Sequence, residues 1–382
     1  MSSTDILAEL IGFDTVSRNS NLELVAWVED YLAGHGVTSR RIPDETGEKA
    51  SLIATIGPLG VPGYVLSGHT DVVPVDGQDW SSDPFEAHVA DGLLYGRGAC
   101  DMKGYLACVL AAVPAMVAAP LAQPIHIAFS YDEEVGCTGV RPMLHEMADW
   151  DVTPAGCFVG EPTNMQVVTG HKHKISKRVV VRGRTGHSSL APQAVNAAEY
   201  AARLVTFVSD MGRQLATSGA RDELYDMPHT TAHVGRFTGG TQLNIVPHHA
   251  EFDFEFRAVG ADDPVAMVED VRAEADRLEA EMQAVDPETG IDFHPYSHVV
   301  GLDTEPEADI TVLAKRLAGR NDHAKVAYTT EGGLFADIAG IPTVICGPGS
   351  IEQAHKADEF IALAELEKCD RLLAALIAHC QG

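Results

Sequence analysis

Apolar residues recur at helical spacing from residue 4 to residue 34. Ile6, Leu7, Leu10 and Ile11 are followed by Leu22, Leu24, Val25, Trp27, Val28 and Leu32, and the pattern stops at Gly34 and Gly36. Two short apolar runs, 51–56 and 64–67, predict strands, the second leading into Gly68-His69. A helix is predicted over 105–117, then a fully apolar strand over 125–131 that runs into Asp132-Glu133-Glu134. Buried strands alternating with helices predict an α/β domain whose mostly parallel sheet is covered on both faces.

Near residue 175 the pattern changes. An alternating strand is predicted over 176–183, a helix over 192–214, alternating strands over 230–237 and 250–259, a helix over 264–285 and a strand over 291–299. That order, β-α-β-β-α-β, is the ferredoxin-like motif. After Gly301 a helix over 307–317 and an apolar strand over 342–346 restore the α/β character. The expected organisation is therefore one domain from 1–175 and 300–382, with a smaller one, 176–299, inserted in it.

Composition narrows the class. A chain of 382 residues with 45% hydrophobic content is long enough for two cores. Its best apolar stretch, 105–122, is interrupted by Pro114 and Pro120 and falls short of a membrane span. The acidic, amphipathic start MSSTDILAEL lacks a basic region ahead of an apolar one, so no signal peptide is expected and a cytoplasmic location is the default. Seven cysteines without a CxxC pair argue against a disulfide framework and a thiolate metal site. A formal charge of −28 opposes binding to nucleic acid or an anionic membrane.

Metal-competent residues gather after predicted strands: His69-Thr70-Asp71, Asp101-Met102-Lys103, Glu133-Glu134 and Glu161, with His355 in the loop after Cys346. Taken singly, an HxD triplet or an EE pair is usually a solvated surface feature. In an open α/β sheet, however, ligands bind beyond the carboxyl ends of the strands, so these loops can converge on one crevice. Imidazole and carboxylate ligands without thiolate suit zinc, cobalt or manganese, and the surplus of carboxylates suits two ions sharing a bridge. Asp71 is the local candidate to orient His69. One of Glu133 and Glu134 can hold metal while the other activates water.

The segments SGHTDVVPV, LYGRGACDMKG, YDEEVGCTGV, VGEPT and AHKADEF resemble, in order and over about residues 5–375, the metallopeptidase family of aminoacylases and acetylornithine deacetylases. The resemblance implies an amide-hydrolysing enzyme with two zinc ions per subunit, for which cobalt or manganese can substitute, and an inserted lid domain that also forms a homodimer. It implies His69 and Glu161 as ligands of one ion, Glu134 and His355 as ligands of the other, Asp101 as the bridge, Asp71 as the orienting carboxylate and Glu133 as the base. His187, in GRTGHSS, resembles the lid histidine that hydrogen-bonds the scissile carbonyl in the other subunit's site. Asn244 and Arg257 resemble further lid contacts to substrate.

Substrate choice rests on two turns. Gly170-His171-Lys172-His173-Lys174 resembles the HK-containing turn of the deacetylase branch and lacks the arginine with which desuccinylases clamp a second carboxylate, so His171 and Lys172 are candidate substrate contacts. Gly332 and Gly333 resemble a loop whose amides receive the α-carboxylate. The expected substrate is a small acyl amino acid, N-acetylornithine foremost, which would place the enzyme in arginine biosynthesis. A succinyl-diaminopimelate desuccinylase, an aminoacylase or dipeptidase, and a catalytically silent binding protein are the alternatives.

Overall fold

In the computed structural model, which describes all 382 residues, the backbone divides into two compact units. The first comprises Met1–Gly170, Leu302–Lys325 and Thr330–Gly382, and the second His171–Gly301 with Val326–Thr329. The division falls at 170/171 and 301/302, a few residues outside the positions suggested by the alternation. Strand His173–Arg182 starts earlier than its alternating residues reveal, because His173 and Lys174 are only half-buried.

The first unit is built on a nine-stranded sheet. Strands Ile125–Ser130, Tyr64–His69, Gly156–Pro162 and Thr343–Gly347 lie side by side and parallel. Every residue in these four is buried, as their apolar composition requires when helices cover both faces. The sheet as a whole is mixed rather than mostly parallel. Ser39–Pro43 pairs antiparallel with Ala50–Ile56, Ala50–Ile56 pairs antiparallel with Ile125–Ser130, and Val168–His171 pairs antiparallel with Thr343–Gly347. Only the first of these pairs is a hairpin, closed by residues 44–49; the other two join strands far apart in the chain, so no local pattern announces their antiparallel direction.

Helix Lys103–Ala118 is buried all round in its first half, Lys103 to Leu110, and packs with helices Ser3–Ile11 and Leu363–Cys380 in the main core. Its close approach depends on two glycines. A Cβ on Gly160 would lie 2.0 Å from the Tyr105 ring, and one on Gly68 would lie 2.6 Å from Met102 Cε. The helical period read from 4 to 34 is two helices, Ser3–Ile11 and Leu22–Gly34. Between them the chain leaves the helix to form a bridge from Val16 to Val72, which delivers Ser17 to the loop after His69. The seven cysteines are unpaired and buried, and no helix is long and apolar enough to cross a membrane.

The second unit is an antiparallel four-stranded sheet in the order Thr231–Gly239, His249–Ala258, His173–Arg182, Gly290–Val299. Helices Ala197–Ser218 and Pro264–Gln283 bury Leu204, Val208, Val271 and Leu278 against Val179, Phe252 and Phe256 in a separate core. The first helix starts at the Asn196 cap rather than at Pro192, since Ser188–Gln193 forms a 3-10 turn.

Candidate metal centre

The chain ends of the parallel strands meet at one place in the first unit. His69 is the last residue of its strand, Glu161 lies near the end of the next, and Glu133 and Glu134 follow Ser130 after a turn at Asp132. Asp132 has a left-handed backbone, φ 54°, uncommon for a residue with a side chain, and its carboxylate accepts from Lys49 Nζ at 2.6 Å. His355 sits in the loop after Thr343–Gly347, and Asp101 immediately before helix Lys103–Ala118. This is the crevice position expected for an open α/β sheet.

Asp101 stands between two imidazoles. Its Oδ1 lies 3.2 Å from His69 Nε2 and its Oδ2 3.2 Å from His355 Nε2. Each imidazole has a second carboxylate: Glu161 Oε1 at 3.8 Å from His69 Nε2, and Glu134 Oε2 at 3.2 Å from His355 Nε2. Donor atoms of His69, Asp101 and Glu134 lie within 4.8 Å of one another, as do those of His69, Glu133 and Glu161. Glu133 therefore shares the pocket of the first pair, where its only protein donor is Cys137 Sγ at 3.3 Å from Oε1.

The surroundings fix these groups. His69 Nδ1 lies 2.8 Å from the carbonyl of Asp71 and 3.5 Å from its carboxylate, so the nearer orienting acceptor is the backbone oxygen. The Asp71 carboxylate instead accepts from Ser17 Oγ at 2.7 Å, Glu133 N at 3.1 Å and Glu134 N at 3.4 Å, tying the His69 loop to the Glu133-Glu134 loop. Beneath them, fully buried Glu331 accepts from Ser67 Oγ at 2.5 Å and Ser130 Oγ at 2.7 Å, joining two adjacent strands. Sequence reasoning singled out only the two glycines that follow Glu331. Its hydroxyl partners lie 264 and 201 residues away, beyond any local pattern.

The electrostatics call for cations. Burial pushes Glu133 up to about 8, and burial together with the Asp101 charge pushes Glu134 up to about 7. Glu161 is raised well above the carboxylate range by burial and by Asp101. Hydrogen bonds to Asp101 and Glu134 hold His355 up at about 10. His69, although burial disfavours its cation, is raised by Asp101 and Asp71. Glu134 Oε1 and Glu161 Oε1 are buried without a hydrogen-bond partner. Imidazole-carboxylate pairs sharing one aspartate, with two orphaned carboxylate oxygens, fit a pair of divalent ions.

A consequence is open to calorimetry. Ligation needs neutral imidazole and charged carboxylate, and in the metal-free site His69, His355, Glu134 and Glu161 all have raised proton affinity, so loading should release protons. Zinc titrations in buffers of different ionisation enthalpy should show that release, with affinity rising as pH rises toward the His355 value of about 10. Buffer-independent heats would refute it.

Gly332 and Gly333 are buried in the first turn of helix Gly332–Ala339, and the Gly332 amide donates to Thr330 Oγ1 at 3.0 Å. His171, in the second unit, is buried and lowered by burial to about 4. Lys172 is also buried, its Nζ donating to the His229 carbonyl at 2.6 Å and lying 5.5 Å over the Tyr225 ring. Arg257 pairs with Glu255, Nε to Oε1 2.9 Å. His187 is exposed, and Ser188 N donates to the Asn244 carbonyl at 3.0 Å, so His187 and Asn244 are neighbours.

Residues 65–379 match the model of "Peptidase family M20/M25/M40". An acetylornithine deacetylase of Yersinia pestis is 32% identical over 377 residues, 96% of this chain and 93% of that protein. Among solved structures, an M20 family metallo-carboxypeptidase of Sulfolobus solfataricus aligns over 100% of this chain and 99% of its own, at 19% identity and a TM-score of 0.78. A dinuclear metal-binding M20 peptidase of Bacillus subtilis covers 99% of this chain and 97% of its own, at 14% identity and a TM-score of 0.65. With a match that spans most of the chain, and relatives aligned almost end to end, this protein is a hydrolase of peptidase family M20/M25/M40.

Proposed function

We propose that the enzyme is an acetylornithine deacetylase, converting N-acetyl-L-ornithine and water to L-ornithine and acetate. The observation that carries the chemistry is Asp101 set between His69 and His355, each with its own glutamate. The choice of substrate is supported by the near full-length likeness to acetylornithine deacetylases and by the absence of any arginine in the 170–174 turn.

Two zinc ions held by His69 and Glu161, by His355 and Glu134, and jointly by Asp101 would polarise the acyl carbonyl and acidify a water. Glu133 takes the proton of the attacking water and returns it to the departing amine. The raised proton affinity of that carboxyl suits an acid-base group working near neutrality. Asp71 and Ser17 hold the His69 and Glu133 loops in register.

The second unit is read as a ferredoxin-like lid that also joins two copies, with Asn244 a further contact to substrate. His187 then serves as the donor to the developing oxyanion. Its Nδ1 is engaged by Ser189, accepting from the backbone N at 3.2 Å, which leaves Nε2 to serve as the donor. His187→Ala should lower turnover about 10²- to 10³-fold, the range for one oxyanion donor, with ion content and oligomeric mass unchanged. Wild-type turnover would discard that role.

The proposal is tested by steady-state hydrolysis of N-acetylornithine, N-succinyl-diaminopimelate and N-acetylmethionine by zinc-loaded enzyme. The expected result is a kcat/KM preference for acetylornithine that disappears with chelator and returns with zinc. Preference for the succinyl compound would overturn the assignment.

A further inference from the structure

We infer that Gln78 is a positioning residue for the second metal site, linking the loop that carries His355 to the loop that carries Asp101. This rests on the two-ion reading of the centre.

The loop before Asp101 is gripped by one carboxylate. Glu359, almost fully buried, accepts from Gly98 N at 3.0 Å, Cys100 N at 2.9 Å, Asp101 N at 3.0 Å and Arg97 Nη1 at 2.6 Å. Arg97 is itself fully buried and stacks 5.0 Å from the Trp80 ring. Arg97 and Glu359 are thus a buried, hydrogen-bonded ion pair that also holds three backbone amides of the Asp101 loop.

From that pair the contacts run to His355. Arg97 Nη2 and Trp80 Nε1 both donate to Gln78 Oε1, the latter at 3.0 Å. Two donors on the oxygen fix the amide's orientation, and its Nε2 then donates to the His355 carbonyl at 3.2 Å. The hold matters because His355 is half-exposed and has a left-handed backbone, φ 63°. A histidine in that conformation stays there only when its surroundings require it. The Gln78 amide and the Asp101 and Glu134 carboxylates, at opposite ends of the residue, are its polar restraints.

Groups that orient a ligand typically change metal affinity 10- to 100-fold when removed. Gln78→Ala should therefore weaken the His355 site by about tenfold or more while the His69 site keeps its affinity. Gln78→Glu keeps an acceptor for Arg97 and Trp80 but loses the donor to His355, and should behave similarly. Isothermal titration of metal-free protein with zinc, together with the visible spectrum on cobalt loading, resolves the two sites. Thermal unfolding of the metal-free variants serves as the fold control: Gln78→Glu, which keeps the acceptor for buried Arg97, should unfold near wild type, and Gln78→Ala somewhat below it. Selective loss of one site in both variants supports the inference. Two wild-type affinities in Gln78→Ala, or equal weakening of both sites, overturns it. Wild-type protein that takes up only one ion would instead defeat the two-ion reading on which the inference stands.

Discussion

Glu133→Gln should lower kcat by roughly three orders of magnitude, within the span usual for loss of a general acid-base group, while KM and ion content stay near wild type. The amide matches the carboxylate in shape but cannot take up a proton from water. Nothing else nearby can replace it. Asp71 is fully engaged by Ser17 Oγ and the amides of Glu133 and Glu134, Asp101 faces both imidazoles, and Glu161 faces His69. The contrast with its neighbour is informative, since Glu134 Oε2 lies 3.2 Å from His355 and Glu134→Gln should lose metal as well as rate. Steady-state kinetics with metal analysis on the same preparations checks both, and a kcat within tenfold of wild type for Glu133→Gln would exclude it as the base.

Asp101→Ala is expected to be inactive for a different reason. Each oxygen of this carboxylate serves a different histidine, so one substitution removes a ligand from both ions and leaves His69 and His355 with one glutamate apiece. A ligand that binds only the folded state stabilises it by about 4 kcal/mol at a thousand times its dissociation constant. Zinc should therefore raise the unfolding temperature of the metal-free wild type and leave that of Asp101→Ala almost unchanged. A full zinc-dependent shift in the variant would show that Asp101 does not bridge.

The candidate metal-binding residues could be singled out because His69, Glu133, Glu134 and Glu161 lie at or just after strand ends, where an apolar run gives way to His or acid, whereas Asp101 precedes a helix and His355 lies within a loop. Strand and helix identities in the second unit were legible for the same local reason, the change of period from 3.6 to 2. Groups that aim the ligands were not. Glu359 and Arg97 are 262 residues apart, and neither has a period or charge pattern that names the other. Ser17 was hidden inside what reads as one helical stretch, because apolar spacing alone does not mark the chain leaving the helix after Ile11. The two glycines after Glu331 read as a free amide loop, yet their burial comes from helix Gly332–Ala339 packing beside Thr343–Gly347, a tertiary contact with no local signal.

The most direct test of the account is anomalous diffraction from zinc-loaded crystals. Two peaks roughly 3.5–4 Å apart, one beside His69 and Glu161, the other beside His355 and Glu134, with the Asp101 carboxylate between them, are predicted. A single fully occupied peak, or a pair whose shared ligand is not Asp101, would contradict it.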